Sequence, residues 1–265
     1  MTVAQAWDPG QYDRFRAERA QPFWDLAALL APAPAPRLVD LGCGTGELTV
    51  ALAERLGAAE AVGIDHSPAM LAQAAGRAAG RVRFRAGDLA AFDEPGAWDV
   101  VLSNAALQWV PDHAAVLARW AGSLRPGGQL AVQVPANADH PSHLVAAQVA
   151  ATEPFRSAFA AGPPADPVAG NVLAPERYAE VLFALGLVDI HVRLQVYPHV
   201  LASTDEIVEW VKGTTLNRFR AALAPPVYEA FLERYRRALL DRMGDRRPCL
   251  YPFKRILFAA RAPAP

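Results

Sequence analysis

A short run at Asp40 to Gly46, DLGCGTG, sets the architecture of this chain before any other segment is read. An apolar stretch of strand length leads into three glycines spaced two apart, and a helical pattern follows. Glycine accepts positive φ and carries no side chain, so backbone can turn sharply there and pass close to a ligand. A strand, a glycine-rich turn and a helix in succession are the opening of a nucleotide-type α/β fold. Taken alone, the same residues also make a tight strand-to-helix turn that holds nothing.

The rest of the chain continues the pattern. Apolar runs at Leu38 to Leu41, Ala61 to Ile64, Val82 to Arg85, Asp99 to Ser103 and Leu130 to Val134 alternate with helical stretches, which predicts parallel strands joined by crossover helices. Leu48, Leu52, Ala53 and Leu56 fall on one helical face, as do Val116, Leu117, Trp120 and Leu124, so helices are expected on both sides of the sheet. Pro32, Pro34 and Pro36 stop the preceding helix, because proline lacks the amide donor, and place the start of the core near Arg37. RPGG, Arg125 to Gly128, reads as a turn that ends one helix and feeds the next strand. Beyond Pro135 come helical pieces rich in proline, including GPPADP at Gly162 to Pro167, then a strand-like run from Val188 to Tyr197. A helical block from Thr204 to about Met243 and a last strand, Ile256 to Ala260, complete the chain.

The expected fold is therefore a Rossmann-like α/β sheet with helices on both faces, in a single domain over 1–265. Its nucleotide-binding core covers about 37–135, helical insertions over about 137–187 and 200–250 are expected to form a substrate lid, and an N-terminal segment of about 1–30, a lid by the family resemblance given below, precedes the core. A content of 52% hydrophobic and 20% charged residues supports a sizeable core. A formal net charge of -1 provides no general basic field, so nucleic acid is not an expected partner. Two distant cysteines, Cys43 and Cys249, make neither a disulfide framework nor a metal site, which suits a reducing cytoplasm. The N-terminal residues mix acidic, basic and aromatic side chains, unlike a signal peptide or a membrane span. A cytoplasmic monomer without metal is expected.

Two acids extend the glycine turn into a binding site. Val62-Gly63-Ile64-Asp65 places a carboxylate about 20 residues after the glycines, the spacing at which an acid meets ribose hydroxyls. Gly87-Asp88-Leu89 follows the third strand, where Asp88 suits an adenine amino group beside apolar Leu89; the same aspartate also suits a turn or helix cap. The glycine spacing is G-x-G-x-G, not the G-x-G-x-x-G of dinucleotide sites, and Asp40 suits a cationic sulfonium and amino group better than a pyrophosphate. S-adenosylmethionine is the expected cofactor. Cys43, inside the turn, is expected to pack as a small residue.

These residues resemble class I methyltransferases, and more narrowly the trans-aconitate 2-methyltransferase family. The likeness runs through WDPGQYDRFRAERAQPF (Trp7 to Phe23), GIDHSPAML (Gly63 to Leu71), SNAALQWVPDH (Ser103 to His113), AVQVPAN (Ala131 to Asn137), PSH (Pro141 to His143) and YPFKRILFAA (Tyr251 to Ala260). It implies methyl transfer from S-adenosylmethionine to a carboxylate of trans-aconitate, giving a monomethyl ester. It also implies cofactor contacts from Asp40, Gly42, Cys43, Gly44, Asp65, His66, Met70, Asp88, Leu89, Asn104 and Ala105, and an N-terminal lid carrying Tyr12 and Arg19. The chain departs from the family at Thr45, where proline is common, and in TTLNRFR, where a Leu-Arg-Pro pattern is frequent, so Asn217 weakens a substrate role for that segment.

A carboxylate acceptor is ionised at neutral pH, so no strong base is needed and positioning becomes the task. Tyr12, Gln108 and Trp109 are candidates for positioning; Arg19, His143, Tyr178, Tyr197, His199 and Arg255 are candidates for holding a polycarboxylate. The bland reading stands beside each: Arg19 as a solvated charge, Trp109, Tyr178 and Tyr197 as core aromatics, and the histidines as satisfied or surface groups. The basic run Arg234, Arg236, Arg237, Arg242, Arg246 and Arg247 is interleaved with Glu233 and Asp241 and reads as a solvated helix. Another small acid or an acyl thioester as acceptor, or a binding module without catalysis, would leave the cofactor half unchanged.

Overall fold

A computed structural model describes residues 16–264, with side chains from residue 20 onward. The chain divides into two compact units. One, the sheet unit, holds Arg19–Pro135, Asn171–Gln195 and the chain from Arg255; the other, the helical unit, holds Ala136–Gly170 and Val196–Lys254.

After helix α1 (Arg16–Ala27), the sheet unit alternates β1 (Arg37–Leu41), α2 (Glu47–Arg55), β2 (Glu60–Asp65), α3 (Pro68–Ala75), β3 (Val82–Ala86), β4 (Trp98–Asn104), α4 (His113–Gly122) and β5 (Leu124–Pro135). The helices α5 (Pro141–Ala150), α6 (Phe155–Ala158) and α7 (Pro167–Asn171) follow. The chain then forms α8 (Pro175–Ala184), β6 (Val188–Leu201), α9 (Asp205–Lys212), α10 (Asn217–Ala222), α11 (Pro225–Met243) and β7 (Cys249–Arg261).

The seven strands lie in the order β3-β2-β1-β4-β5-β7-β6. β1 to β5 pair in parallel, and β7 runs antiparallel against β5. The order reverses between β1 and β4, and at such a reversal the carboxyl ends of parallel strands open a crevice for ligand. Leu38, Val39, Leu41, Val101, Leu102, Leu130 and Val132 are fully buried, as near-continuous apolar strands covered on both faces should be. Gln129 closes the proline segment onto β5: its Oε1 accepts the N–H of Ala31 at 2.7 Å and its Nε2 donates to the Ala31 carbonyl at 3.0 Å.

Two local readings are corrected. Leu124 belongs to β5 and pairs with Trp98, while α4 ends at Gly122, so Leu124 is not part of that helix's apolar face. RPGG then sits inside the strand as a bulge, since Val100 pairs next with Gln129 and Gly127 takes φ 76°. Residues 171–195, expected in large part within an insertion, cluster with the sheet. The cause is packing: Tyr178 of α8 stacks on Phe258 of β7 at 4.6 Å.

The helical unit has its own apolar core, including Val145, Phe155, Trp210, Phe219, Phe231, Tyr235 and Tyr251. Of its basic run, Arg234, Arg237 and Arg242 are exposed on α11, with Arg237 paired to Glu233 at 3.1 Å; Arg236 is half-buried and pairs with Asp205 at 3.1 Å, and Arg246 and Arg247, also exposed, lie beyond the helix. No described helix is long and apolar enough to cross a membrane.

Candidate active site

The glycine turn is a continuation of sheet pairing. The N–H groups of Gly42 and Cys43 both donate to the Ile64 carbonyl, at 2.8 and 3.0 Å. Gly42, Gly44 and Gly46 take φ of 83°, 56° and 75°, the left-handed region in which a side chain is strained. A Cβ on Gly42 would run into Cβ of Ala106, and one on Gly46 into the ring of Phe84. Around Gly44 a Cβ would meet no atom of the described residues within 4 Å, so among them the turn presents bare backbone on that side.

Asp65, at the end of β2, holds this turn in place. Its Oδ2 accepts the N–H of Gly44 at 2.9 Å and its Oδ1 the N–H of Ser67 at 2.8 Å. An ionised carboxylate has about four acceptor positions, so both oxygens retain capacity for hydroxyl donors. Ser67 in turn caps α3 by accepting the Met70 N–H at 3.4 Å. His66 is exposed, with Nδ1 3.8 Å from Asp65 Oδ1. Asp88 spends one oxygen on the Ala90 N–H at 2.8 Å, the cap role open to it from the start, while Leu89 beside it is buried.

Asp40 is buried behind the turn and accepts a hydrogen bond from Thr49 Oγ1 at 2.5 Å. Burial pushes its carboxyl up to about 7; the Thr49 bond works against that rise and the Asp65 charge adds to it. Burial, reinforced by the Asp40 and Asp65 charges, also pushes the Cys43 thiol up, so it is no ready thiolate. Cys43 packs instead: a Cβ on Gly63 would lie 2.9 Å from its sulfur.

At the end of β4, Asn104 leads into Ala105, which takes φ 54°. Both peptide groups of Ala105 are tied, its N–H to the Gln133 carbonyl at 2.9 Å and its carbonyl to Gln108 Nε2 at 2.7 Å. Asn104 Oδ1 and Gln108 Oε1 are buried and have no hydrogen-bond partner among the described residues. Trp109 is half-buried on the same single turn as Gln108.

Strand register places the polar residues of these strand ends on one face. Partners across a ladder share a face, as do residues two apart along a strand. Asp40 pairs with Gly63 and with Leu102, Asn104 with Gln133, Gln133 with Leu257, and Pro135 with Arg255. Asp65, Asp40, Asn104, Gln133 and Arg255 therefore follow one another across the same face, from acid to base.

Of the residues expected to hold substrate, Arg255 lies on this face, buried, and donates from Nη1 to Gln133 Oε1 at 3.1 Å. Tyr178 does not: it is fully buried, its hydroxyl 2.7 Å from His113 Nδ1 and accepting the Leu173 N–H at 3.3 Å. Its place is the core-aromatic one. In the helical unit, His143 is buried with Nδ1 3.1 Å from Asp166 Oδ2 and Nε2 3.2 Å from Thr215 Oγ1. Tyr197 stacks near His199 at 6.5 Å, and His199 lies 4.7 Å from Trp210, an aromatic packing group. Tyr12 and the side chain of Arg19 lie outside the described residues.

Sequence reasoning passed over Thr49, Ser67, Gln133, Asp166 and Arg218. Gln133 left a signal, a polar residue inside the apolar run LAVQVP. Asp166 and Arg218 left none, because their 3.0 Å pairing in the helical unit joins segments far apart in the chain.

The residues of the sheet unit fit S-adenosylmethionine. Asp65 offers carboxylate acceptors for ribose hydroxyls, Asn104 Oδ1 is a buried acceptor awaiting a donor, and bare backbone at Gly44 admits close approach. Together, the glycine turn and the sheet, in which antiparallel β7 lies between β5 and β6, define a class I methyltransferase. A family model described as a methyltransferase domain matches residues 38–128. Solved structures agree on the fold. YcgJ protein from Bacillus subtilis has a TM-score of 0.59 at 16% identity, covering 92% of this chain and 98% of that one. Haemonchus contortus phosphoethanolamine N-methyltransferase 2 has a TM-score of 0.56 at 20% identity, and this chain spans about half of its length, 52%, with 92% of this chain covered. Relatives by sequence are nearer. A trans-aconitate 2-methyltransferase of Deinococcus radiodurans is 44% identical, covering 97% of this chain and 98% of its own. One of Streptomyces avermitilis is 39% identical, with 98% of both chains covered. This chain belongs to the trans-aconitate 2-methyltransferase family.

Proposed function

We propose that the protein transfers a methyl group from S-adenosylmethionine to a carboxylate of trans-aconitate, forming a monomethyl ester. The observation that carries the reading is the sheet face that runs from Asp65 and Asp40 to Arg255, acids on the side suited to a cationic donor and a guanidinium on the side suited to an anionic acceptor. Near-full-length likeness to relatives of that name supports the choice of acid. We read the chain as a cytoplasmic monomer with a small polycarboxylate as its partner, and with no role for membrane or nucleic acid.

S-adenosylmethionine, when bound, supplies a sulfonium-activated methyl group. Asp65 would accept the ribose hydroxyls, Leu89 would flank the adenine, and Asp40 with Asn104 would face the cationic end. Arg255 would pair with a carboxylate of the acceptor, whose ordinary pKa near 4 leaves it ionised without a base. Gln108 and Trp109 would wall the reacting atoms from water. Orientation of an already competent nucleophile is then the main contribution, worth roughly 7 to 11 kcal/mol at best.

The test is direct. Protein incubated with S-adenosylmethionine and trans-aconitate should yield a monomethyl ester identifiable by mass spectrometry and NMR. A panel of other small acids and acyl thioesters run alongside should be turned over less efficiently; a better acceptor among them would replace trans-aconitate in this reading.

A further inference from the structure

Strand β5 is apolar where it crosses the core, and Gln133 interrupts it between buried Val132 and Val134 with no solvent exposure. Burying a primary amide is unfavourable unless its donors and acceptor are matched. Only part of this amide is matched. Its Oε1 accepts from Arg255 Nη1 at 3.1 Å, and because a guanidinium has donors alone, the amide oxygen must be the atom facing it. The NH2 group consequently points elsewhere, and Nε2 has no hydrogen-bond partner among the described residues. The backbone is pinned as well, since the Gln133 carbonyl accepts the Ala105 N–H that ends β4.

Register puts this orphan donor beside Asn104 on β4 and Leu257 on β7, on the face that carries Arg255. An amide N–H and a guanidinium side by side make a two-donor grip of the kind that holds a carboxylate. A hydrophobic residue would fill the same space at no desolvation penalty, so the amide calls for a partner that the described residues do not provide.

We propose that Gln133 Nε2 donates a hydrogen bond to a carboxylate of the methyl acceptor, next to Arg255, and that this pair selects for a carboxylate at that position. The proposal rests on the acceptor reading given above. A site built around a buried donor discriminates strongly against a ligand lacking the matching group, because the donor is then left unpaired.

Kinetics with trans-aconitate, cofactor affinity by calorimetry and thermal unfolding should be measured for the wild type, Gln133→Met and Gln133→Glu. Gln133→Met should raise KM or lower kcat/KM by roughly tenfold or more, with cofactor Kd within about twofold of wild type. Gln133→Glu should do worse still: it can accept from Arg255, which keeps it ionised, but it turns a like charge toward the carboxylate. Wild-type kinetics in Gln133→Glu would overturn the proposal, reducing Gln133 to a prop for Arg255. Loss of cofactor affinity in step with activity would overturn it too. Should Gln133→Met fail to fold, Gln133→Glu carries the test alone, being nearly the same shape. A wild-type protein that makes no ester from trans-aconitate would remove the acceptor reading and the proposal together, whereas wild-type turnover with unaffected variants removes Gln133 only.

Discussion

The N–H of Gly44 donates to the carboxylate of Asp65 at 2.9 Å, joining residues 21 apart in the chain. The acid that ends β2 thus shapes the turn that follows β1, and in the function proposed here the same residue also accepts the ribose hydroxyls. Asp65→Ala should lower stability by about 1–3 kcal/mol, because two backbone N–H groups lose their acceptor, and should weaken S-adenosylmethionine binding as well. Asp65→Asn, which keeps one acceptor oxygen, should be milder in stability yet still impaired in binding. Denaturant unfolding and calorimetry check both; undiminished cofactor affinity in Asp65→Asn would take the residue out of the ribose site.

Asp40 should impose a pH dependence on the protein without cofactor. Its folded-state carboxyl titrates near 7 against an ordinary 3.8, so between those values the folded state binds a proton that the unfolded chain has released. Stability from this group is therefore greatest below about pH 4 and falls as pH rises toward 7, by as much as about 4 kcal/mol, levelling off above. Asp40→Asn should flatten that slope and stabilise the protein at pH 8. Urea unfolding at several pH values measures it, and parallel slopes for wild type and variant would refute it.

The three glycines of the turn should not be equivalent. Gly44→Ala meets only the conformational penalty of its φ, about 1–2 kcal/mol, but places a methyl group where the backbone is bare. Gly42→Ala adds a collision with Ala106. Melting temperature should fall further for Gly42→Ala, whereas Gly44→Ala should fold and lose cofactor affinity. The reverse order in melting would contradict the packing described for the turn.

In the helical unit, Asp166 accepts from Arg218 Nη1 at 3.0 Å and lies 3.1 Å from His143 Nδ1, with all three side chains largely buried. Burial opposes its ionisation, yet the His143 hydrogen bond and the Arg218 charge outweigh burial and hold the carboxyl below its usual range. A lowered folded-state pKa means stability that is present above about pH 4 and lost as pH falls below it. Asp166→Ala leaves buried Arg218 unpaired and should cost about 3–5 kcal/mol at pH 7. The gap between variant and wild type should narrow near pH 3, as equilibrium unfolding at both pH values will show.

The sheet and the turn were legible because their signals are local. Three glycines after Leu41 and an acid at the end of β2 can be read without knowing what lies opposite. Leu124 was misplaced because helix end and strand start look alike there, and the deciding fact is its pairing with Trp98. Tyr178 reads in sequence both as a substrate candidate and as a core aromatic, because the sequence does not show that its hydroxyl is already shared by His113 and Leu173. Asp88 showed both of its roles in sequence, and the Ala90 N–H takes up one of its oxygens. Gln133 was readable in principle, since a lone amide in an apolar strand demands a partner. The ion pairs of Asp166 were not, because nothing in GPPADP announces a partner in α10.

The order of charge across the sheet face, from Asp65 and Asp40 through Asn104 and Gln133 to Arg255, bears on how the catalytic cycle ends. Methyl transfer from a sulfonium to a carboxylate removes one positive charge from the donor and one negative charge from the acceptor. Each product leaves the reaction less matched to the residues that gathered its precursor. In the function proposed here, a face that recruits by charge thereby loosens its hold on donor and acceptor at the moment of transfer, which favours release of the ester and of S-adenosylhomocysteine.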